Sequence, residues 1–265
     1  MYRVNKAPSR IVCLTEEPTE ILYLLGQQHR IVGISAYTER PAQAREAHPV
    51  VSAFIGGSVK KIKALEPDLI LGFSDIQAQL AHDLIKANLP VMIFNQRSIQ
   101  EILDVIVTIG NLVGQHEQAC HLVQSYVDRL ERARAETLAQ SIRPDVYFEE
   151  WDEPQICSIQ WVSELIELAG GRNIFASESC GKLAKERFVS HERVIEANPD
   201  VIIASWCGKP VDIDSIRARQ GYERVRAVEL ERIHEISSTI ILQPGPACLT
   251  DGLDALESII RPLAR

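Results

Sequence analysis

KIKALEPDLILGFSD, residues 61–75, and RVIEANPDVIIASWC, residues 193–207, are two copies of one pattern. In each copy a short amphipathic segment precedes a Pro-Asp pair, and an apolar run follows that ends in small or polar residues. Proline disfavours helical backbone at the residue before it, and a continuous apolar run is typical of a strand buried in a parallel sheet. The pattern therefore predicts helix, turn and strand, the second half of a βαβ unit, twice.

A second pair of segments repeats in the same order. Residues 10–26, RIVCLTEEPTEILYLLG, read as a strand, a polar loop and a helix that ends at Gly26. Residues 145–171, DVYFEEWDEPQICSIQWVSELIELAGG, follow the same plan with a longer loop. We therefore predict an α/β fold of two Rossmann-like lobes with parallel sheets. Chance similarity of two common βαβ units is the alternative.

The stretch between the two copies has helical periodicity. Apolar residues at i, i+3 and i+4 predict one helix over residues 99–112 and another over about 115–140, with Gly114 as the break. The second helix, of about 25 residues, would span roughly 37 Å and form one long, stiff interlobe connection, with little opening and closing on binding. We expect an N-terminal α/β lobe at 1–97, a helical linker at 98–140 and a C-terminal α/β lobe at 141–265.

Composition excludes several classes of protein. The chain has 265 residues and a formal net charge of -8 without a basic cluster, which argues against a nucleic-acid partner. No apolar stretch approaches the roughly 18–20 residues of a membrane span, so we expect no membrane insertion. The first residues lack a signal-peptide pattern. We expect a cytoplasmic protein as the sequence stands, or a periplasmic one if a leader has been removed. We also expect a monomer.

The six cysteines show no CxxC pair and no paired-ligand spacing, so we expect no metal site. Buried, inert thiols are the simplest interpretation. A disulfide between Cys207 and Cys248 is the alternative if the protein is exported.

Loops that follow the predicted strands carry the candidate binding residues. Ligands of open parallel sheets bind beyond the carboxyl ends of the strands, and two lobes facing each other would bring these loops to an interlobe cleft. Aromatic rings there would suit a large, flat ligand, although core packing is the alternative for each tryptophan. The candidate ligand-binding residues are Glu16, Glu17, Tyr37, Phe73, Ser74, Asn95, Glu149, Glu150, Trp151, Trp161, Trp206 and Cys207.

Acidic residues occupy equivalent loops of both lobes, and we expect an acidic cleft that accepts hydrogen bonds or a cationic group. Capping of the following helices, or plain solvation, is the alternative for each acid. Paired carboxylates could also perform hydrolysis. Because the chain has no G-x-S-x-G elbow, P-loop or G-x-G-x-x-G motif, we expect no enzyme and no covalent cofactor.

The segment RIVCLTEEPTEILYLLGQQHRIVGIS, residues 10–35, resembles the first βαβ unit of cobalamin- and siderophore-type substrate-binding proteins of ABC importers. IKALEPDLIL and VIEANPDVII look like the paired motifs of that family, one per lobe, and PGPACLTDGLDALESIIRP is similar to its C-terminal segment. The resemblance covers residues 10–262. It implies the class III, helical-backbone fold and non-catalytic binding of cobalamin or a related corrinoid, as an importer component or a cytosolic carrier. The same scaffold takes iron–siderophore complexes and haem, and an amine-bearing metabolite is a further alternative.

One departure from the family concerns docking to an ABC permease. Importer-docked members usually carry an exposed glutamate on each lobe, just before the motif helix, to meet arginines of the permease. The second lobe has Glu192 at this place, but the first has Lys60. A reversed charge would oppose docking on a basic surface. The resemblance therefore implies a permease partner, and Lys60 weakens that implication in favour of a cytosolic relative.

Overall fold

The computed structural model describes residues 7–264, and its first sheet is the parallel one that the sequence predicts. Five strands pair in the order β3-β2-β1-β4-β5, and all their ladders are parallel. The core includes Val12, Ile62 and Ile70, all fully buried. The elements are β1 Ile11–Cys13, α1 Glu16–Leu24, β2 Ile31–Ser35, α2 Ala44–Ala47, β3 Val50–Ser52, α3 Val59–Ala64, β4 Leu69–Phe73, α4 Ala78–Lys86 and β5 Val91–Phe94, with 3-10 turns at Gln28–Arg30 and Asp75–Gln77.

Two helices follow β5, as the apolar periodicity predicts. They are α5 Ile99–Leu112 and α6 His116–Leu138, so both helix predictions are confirmed to within two residues at each end. The chain divides into two units, the first up to Gln96 with Gln100–Ser125 and the second Arg97–Ile99 with everything from Tyr126 onward. The finer division into lobes at 1–97 and 141–265 with a linker stays a prediction. Within residues 7–264, no helix combines the length and the apolar character that crossing a bilayer requires.

The second unit is built on a mixed sheet. The strand order is β10-β9-β6-β7, with β8 also paired to β6. Its elements are β6 Asp145–Asp152, β7 Gln155–Cys157, α7 Gln160–Leu168, β8 Arg172–Asn173, α8 His191–Ala197, β9 Val201–Ala204, α9 Ile213–Arg217, α10 Arg226–Glu229, β10 Ile233–Glu235, α11 Ser238–Ile241 and α12 Leu253–Ile260, with 3-10 turns at Glu178–Cys180, Ala184–Arg187, Tyr222–Arg224 and Arg261–Leu263 and a π-helical turn at Cys248–Gly252.

The hairpin of β6 and β7 corrects the predicted second lobe. We expected a loop from Glu149 to Glu153, but β6 continues through Asp152 and β7 returns antiparallel to it, with Glu149 opposite Cys157. The residues YFEEW are rich in aromatic side chains, which favour extended backbone. The acids of this segment therefore alternate between the two faces of a strand instead of lining one loop.

The duplicated Pro-Asp motif has the same structural role in both units. Asp68 accepts a hydrogen bond from Arg10 N–H at 2.8 Å, and Asp200 accepts one from Asp145 N–H at 2.8 Å. In return, the backbone N–H of Asp68 donates to Arg10 O, and that of Asp200 donates to Asp145 O. Asp68 thus ties the start of β4 to the start of β1, and Asp200 ties the start of β9 to the start of β6. The predicted internal duplication is confirmed at this level.

Replacing Asp68 with alanine is expected to lower the free energy of unfolding by about 1–2 kcal/mol, because its carboxylate accepts three hydrogen bonds from Ser9 and Arg10. Burial raises the pKa of Asp68, but these hydrogen bonds outweigh it and hold the pKa below its usual value. A depressed native pKa contributes stability above the unfolded value, so the difference should shrink as the pH falls below about 4. Urea unfolding at pH 7 and pH 3 measures the difference in the free energy of unfolding between the variant and the wild type. Asp83→Ala, on an exposed helix face, should change little at either pH.

Candidate functional site

The point where the strand order reverses defines the ligand-binding edge of an open parallel sheet. In the first unit β1 is followed on one side by β2 and on the other by β4, so the switch lies between β1 and β4. In the second unit β6 pairs in parallel with β8 on one side and with β9 on the other, so the corresponding switch lies between β6 and β9. Each unit therefore offers one crevice beyond the carboxyl ends of two strands.

The switch of the first unit carries a buried pair of acids. Glu16 and Glu17 form the first turn of α1, and only 1% and 2% of their surfaces are exposed. We expected both in a loop, but they begin a helix directly after the extended residue Thr15. The backbone N–H of Glu39, in the loop after β2, donates to Glu16 Oε2 at 2.6 Å.

Five buried side-chain oxygens at this edge make no hydrogen bond of good geometry, although the Thr15 hydroxyl lies close enough to Glu17 to lower the pKa of its carboxyl group. They are Thr15 Oγ1, Glu16 Oε1, Glu17 Oε2, Thr19 Oγ1 and Thr38 Oγ1. An unsatisfied buried polar group costs about 1–3 kcal/mol, so native proteins rarely cluster them without a reason. Sequence reasoning selected the two glutamates and missed the three threonines. The T-E-E-x-T spacing at 15–19 was the available signal for two of them.

Burial is also the main reason why these acids hold their protons. It raises the pKa of Glu16 to about 8, although the Glu39 N–H lowers it, and the neighbouring charges of Glu17 and Glu20 raise it further. Burial raises the pKa of Glu17 to about 7. The pair is therefore partly protonated near neutral pH, and a protonated carboxyl group can donate as well as accept a hydrogen bond.

Ser74 lies on the other side of the same switch, directly after β4. It is 1% exposed and has φ +68° and ψ 169°, a backbone region that is essentially reserved for glycine. Its N–H donates to Phe94 O at 2.7 Å, and its hydroxyl accepts from Ile76 N–H. Strained residues of this kind collect at binding sites. Ser74 is therefore the best supported of the first-unit candidates outside the acidic pair.

The remaining first-unit candidates differ in exposure. Tyr37 is 43% exposed and meets Phe54 edge to face, with ring centroids 6.2 Å apart. Asn95 is exposed and lines a pocket with Gln96 and residues of α5. Phe73 is 6% exposed at the end of β4, and its N–H donates to the side chain of Gln77. Phe73 therefore packs in the core, and its contact with a ligand stays a prediction.

The acids of the second unit are neutralised, which corrects the expectation of acidic loops in both lobes. Glu149 pairs with Arg219, and Glu150 pairs with Arg187, which is 3% exposed. Asp152 pairs with Lys209 at 2.8 Å. Each basic partner is far from its acid along the chain, so local sequence patterns could not reveal the pairing. At the switch points, the carboxylate oxygens that can still accept a hydrogen bond therefore belong to the first unit.

Glu149 is the centre of a buried network. It is fully buried, and Arg219 donates to both of its oxygens, at 2.5 Å and 2.9 Å. Tyr147 Oη, Gln155 Nε2 and Trp206 Nε1 also donate to it, at 3.1, 3.1 and 3.2 Å. With five internal donors, Glu149 has no capacity left to orient a ligand in this arrangement. Its function here is to hold Arg219 and Trp206 in place.

The three tryptophans predicted to contact ligand have separate environments. Trp161 is 2% exposed on α7, and its indole N–H donates to Ile241 O at 2.9 Å. It packs in the core, as the alternative for each tryptophan predicts, and its contact with a ligand stays a prediction. Trp206 is 3% exposed, whereas Trp151 is partly exposed. Both carry the ammonium of Lys209 on a ring face, at 4.4 Å from the Trp151 centroid and 4.6 Å from the Trp206 centroid.

All six cysteines are thiols, and the alternative of a disulfide between Cys207 and Cys248 is not realised. Cys207 lies directly after Trp206 and is partly buried, and burial raises the pKa of its thiol. A raised pKa reduces the thiolate fraction and hence the reactivity. Across the described part of the chain, no three His, Cys, Asp or Glu side chains are grouped to hold a metal ion.

Comparison with known proteins identifies the fold and the class. The family model described as periplasmic binding protein matches residues 11–239. The chain belongs to the periplasmic binding protein family. Among relatives, an uncharacterized ABC transporter substrate-binding lipoprotein of Bacillus subtilis is 25% identical over 98% of this chain and 82% of its own. A vitamin B12-binding protein of Yersinia pseudotuberculosis is 28% identical over 78% of this chain and 73% of its own.

Solved structures agree on the fold of this periplasmic binding protein. The vitamin B12 binding protein BtuF of Vibrio cholerae superimposes with a TM-score of 0.76 over 97% of this chain and 98% of its own, at 22% identity. The haem-binding protein RhuT of Roseiflexus sp. RS-1 gives 0.78 over 95% and 98%, at 23% identity. At these identities the likeness establishes the two-lobed class III fold. It does not select among the ligands.

The two positions predicted to dock a permease are structurally equivalent in this periplasmic binding protein. Ser58 caps α3 by accepting from Lys61 N–H, and Ser190 caps α8 by accepting from Arg193 N–H. Lys60 and Glu192 are therefore both the second residue of a capped motif helix, and both are exposed. The docking roles themselves stay predictions. Lys60 and Glu192 therefore carry opposite charges at equivalent positions of the two units, and the difference does not come from misaligning the two motifs.

Proposed function

We propose that this chain is the substrate-binding component of an ABC import system and that its ligand is cobalamin or a related corrinoid. The observation that carries the proposal is the group of buried, unpartnered oxygens at the first switch point. Corrinoids bear several peripheral amide groups, whose N–H bonds could satisfy such oxygens. The vitamin B12-binding relative supports corrinoids over other ligands of the scaffold.

The loop after β2 lies against one of these acids. Its Glu39 N–H is bonded to Glu16, and Thr38 is fully buried. A pocket of about 490 Å³ adjoins this loop and is lined in part by Glu20, Glu39 and Arg40. We expect an amide-bearing ligand to enter there and to shift the loop. The aromatic face of Tyr37, in the same loop, would add apolar contact to such a ligand.

Calorimetric titration with cyanocobalamin and aquocobalamin is expected to give a submillimolar Kd, with haemin and an iron–siderophore complex as comparison ligands. Tyr37→Ala should weaken corrinoid binding at least tenfold, because an exposed aromatic contact next to the buried acids is lost. Phe188→Ala, which removes an aromatic of similar exposure in the second unit (45% against 43%), is the matched control and should bind as the wild type does. Absence of heat with both corrinoids, or tighter binding of haemin or the siderophore, would reject the corrinoid assignment.

A further inference from the structure

A lysine ammonium lies between two indole rings at the carboxyl ends of β6 and β9. Lys209 Nζ is 4.4 Å from the ring centroid of Trp151 and 4.6 Å from that of Trp206. It also donates to both oxygens of Asp152, at 2.8 Å each. Aromatic faces and a carboxylate around one cation are the arrangement with which proteins recognise organic ammonium groups. Lys209 Nζ therefore stands where the ammonium group of a ligand could bind.

The walls of this cation cage, formed by Trp151, Trp206 and Asp152, are held independently of Lys209. The indole N–H of Trp206 donates to Glu149 Oε1 at 3.2 Å within the buried network. The indole N–H of Trp151 donates to Glu153 O at 3.0 Å. Asp152 is the last residue of β6, where it pairs with Gln155 of β7. The cage should therefore keep its form when the lysine side chain leaves.

Lys209 itself is lightly attached. It follows Gly208, whose φ of +78° shapes the turn at residues 207–208, beyond the end of β9. Its N–H makes a long hydrogen bond of 3.4 Å to Trp206 O, and its side chain is 40% exposed. A lysine side chain is flexible and its ammonium is strongly hydrated. The ammonium can therefore exchange between the cage and water without a rearrangement of the sheet.

We infer that the cation cage binds an organic ammonium group of an external ligand and that Lys209 is an internal competitor for it. The cage takes a primary or quaternary amine, a chemical class distinct from the corrinoid amides, and does not depend on the corrinoid proposal. An external cation binds only molecules whose cage is open, so its apparent affinity is the affinity of the open cage multiplied by the fraction of molecules in which the cage is open. If Lys209 fills the cage in about 90% of molecules, an external cation binds about tenfold more weakly than it would to an open cage.

Choline is a suitable probe, because its trimethylammonium group fits an aromatic cage, and 3,3-dimethyl-1-butanol has the same shape without the charge. The wild type and Lys209→Ala would be titrated with each at constant ionic strength while the tryptophan fluorescence is followed. We expect half-saturation with choline at a concentration at least tenfold lower in Lys209→Ala than in the wild type. Lys182→Ala, at an exposed lysine of the same unit, should behave as the wild type.

Two results would overturn the inference. One is an equal response of Lys209→Ala to choline and to the neutral alcohol; the other is no gain in choline affinity over the wild type, as expected if Lys209 only clamps the loop. Adding Trp151→Ala to Lys209→Ala should abolish saturation. Lys209→Met, which keeps the apolar stem, provides the same comparison if the alanine variant does not fold. A failure of corrinoid binding leaves the choline result unaffected, so the two proposals are tested separately.

Discussion

Replacing Arg219 with methionine is expected to lower the free energy of unfolding by about 3–5 kcal/mol, because it leaves a buried carboxylate without its counter-ion. Glu149 is fully buried, and the side chain of Arg219 is only 12% exposed. Burial lowers the pKa of Arg219, but the hydrogen bonds and the charge of Glu149 raise it by more, so Arg219 is charged in the folded protein. Methionine fills a similar volume without offering a donor.

The matched control is two residues away on the chain. Arg217 pairs with Asp214 across one turn of α9, with side-chain exposures of 46% and 89%. Arg217→Met should therefore change the stability by less than about 0.5 kcal/mol. Urea unfolding followed by circular dichroism measures both variants. Equal losses in the two would mean that the buried pair contributes no more than an exposed one.

A double-mutant cycle separates the ion pair from the loss of packing. Glu149→Gln removes the charge that Arg219→Met strands, so the double variant should be more stable than Arg219→Met alone. The near-ultraviolet circular dichroism should change as well, because Glu149 also fixes the indole N–H of Trp206. Additive losses across the cycle would contradict a direct coupling between the two side chains.

The repeated Pro-Asp motif shows how far sequence predicted the fold. Each aspartate hydrogen-bonds the start of the first strand of its own sheet, and Ser58 and Ser190 cap equivalent helices. These contacts belong to a local supersecondary unit, so the same residue pattern generates them twice. The helices over 99–112 and 116–138 follow from a separate signal, the apolar periodicity between the two copies. The order of the strands comes from the structure alone.

The candidate site was less predictable because its charges pair across long separations. Arg219 is 70 residues from Glu149, and Arg187 is 37 residues from Glu150. No periodicity or motif encodes such a pair, so the sequence alone presents the acids of the second unit as free to contact a ligand. Trp161 was different: it and Leu165 lie one turn apart on an amphipathic helix, and both are buried. That spacing already indicated a core position for Trp161. We nevertheless assigned it to the site, because the other two tryptophans lie in the predicted loops.

The second large effect that we expect is a change of stability with pH that originates in Glu16 and Glu17. Their pKa values in the folded protein, about 8 and about 7, lie above the ordinary value of 4.5. Between pH 4.5 and these values the folded state holds protons that the unfolded state has released. The stabilisation is complete below about pH 4.5 and is lost as the pH rises through 7 to 8.

Glu17→Gln removes one of the two titrations and should therefore flatten the pH profile. Near pH 5 the variant and the wild type should be equally stable; at pH 8 the variant should be more stable by about 2–3 kcal/mol, since each pKa unit corresponds to about 1.4 kcal/mol. Urea unfolding at both pH values measures the difference, and comparison with the wild type cancels the other titrating groups. Glu117→Gln, at an exposed acid in the first turn of α6, should match the wild type throughout.

The same protons connect stability to ligand binding. A ligand that donates hydrogen bonds to the two carboxylates favours their ionised form, so binding should release protons and strengthen as the pH rises from 6 to 8. Calorimetry in buffers of different ionisation enthalpy counts the protons released, and Glu16→Gln with Glu17→Gln should abolish the release. A Glu17→Gln difference in stability that is the same at pH 5 and pH 8 would show instead that these acids are ionised throughout. The first switch point would then be a fixed negative site, and a cationic ligand would be the better match for it.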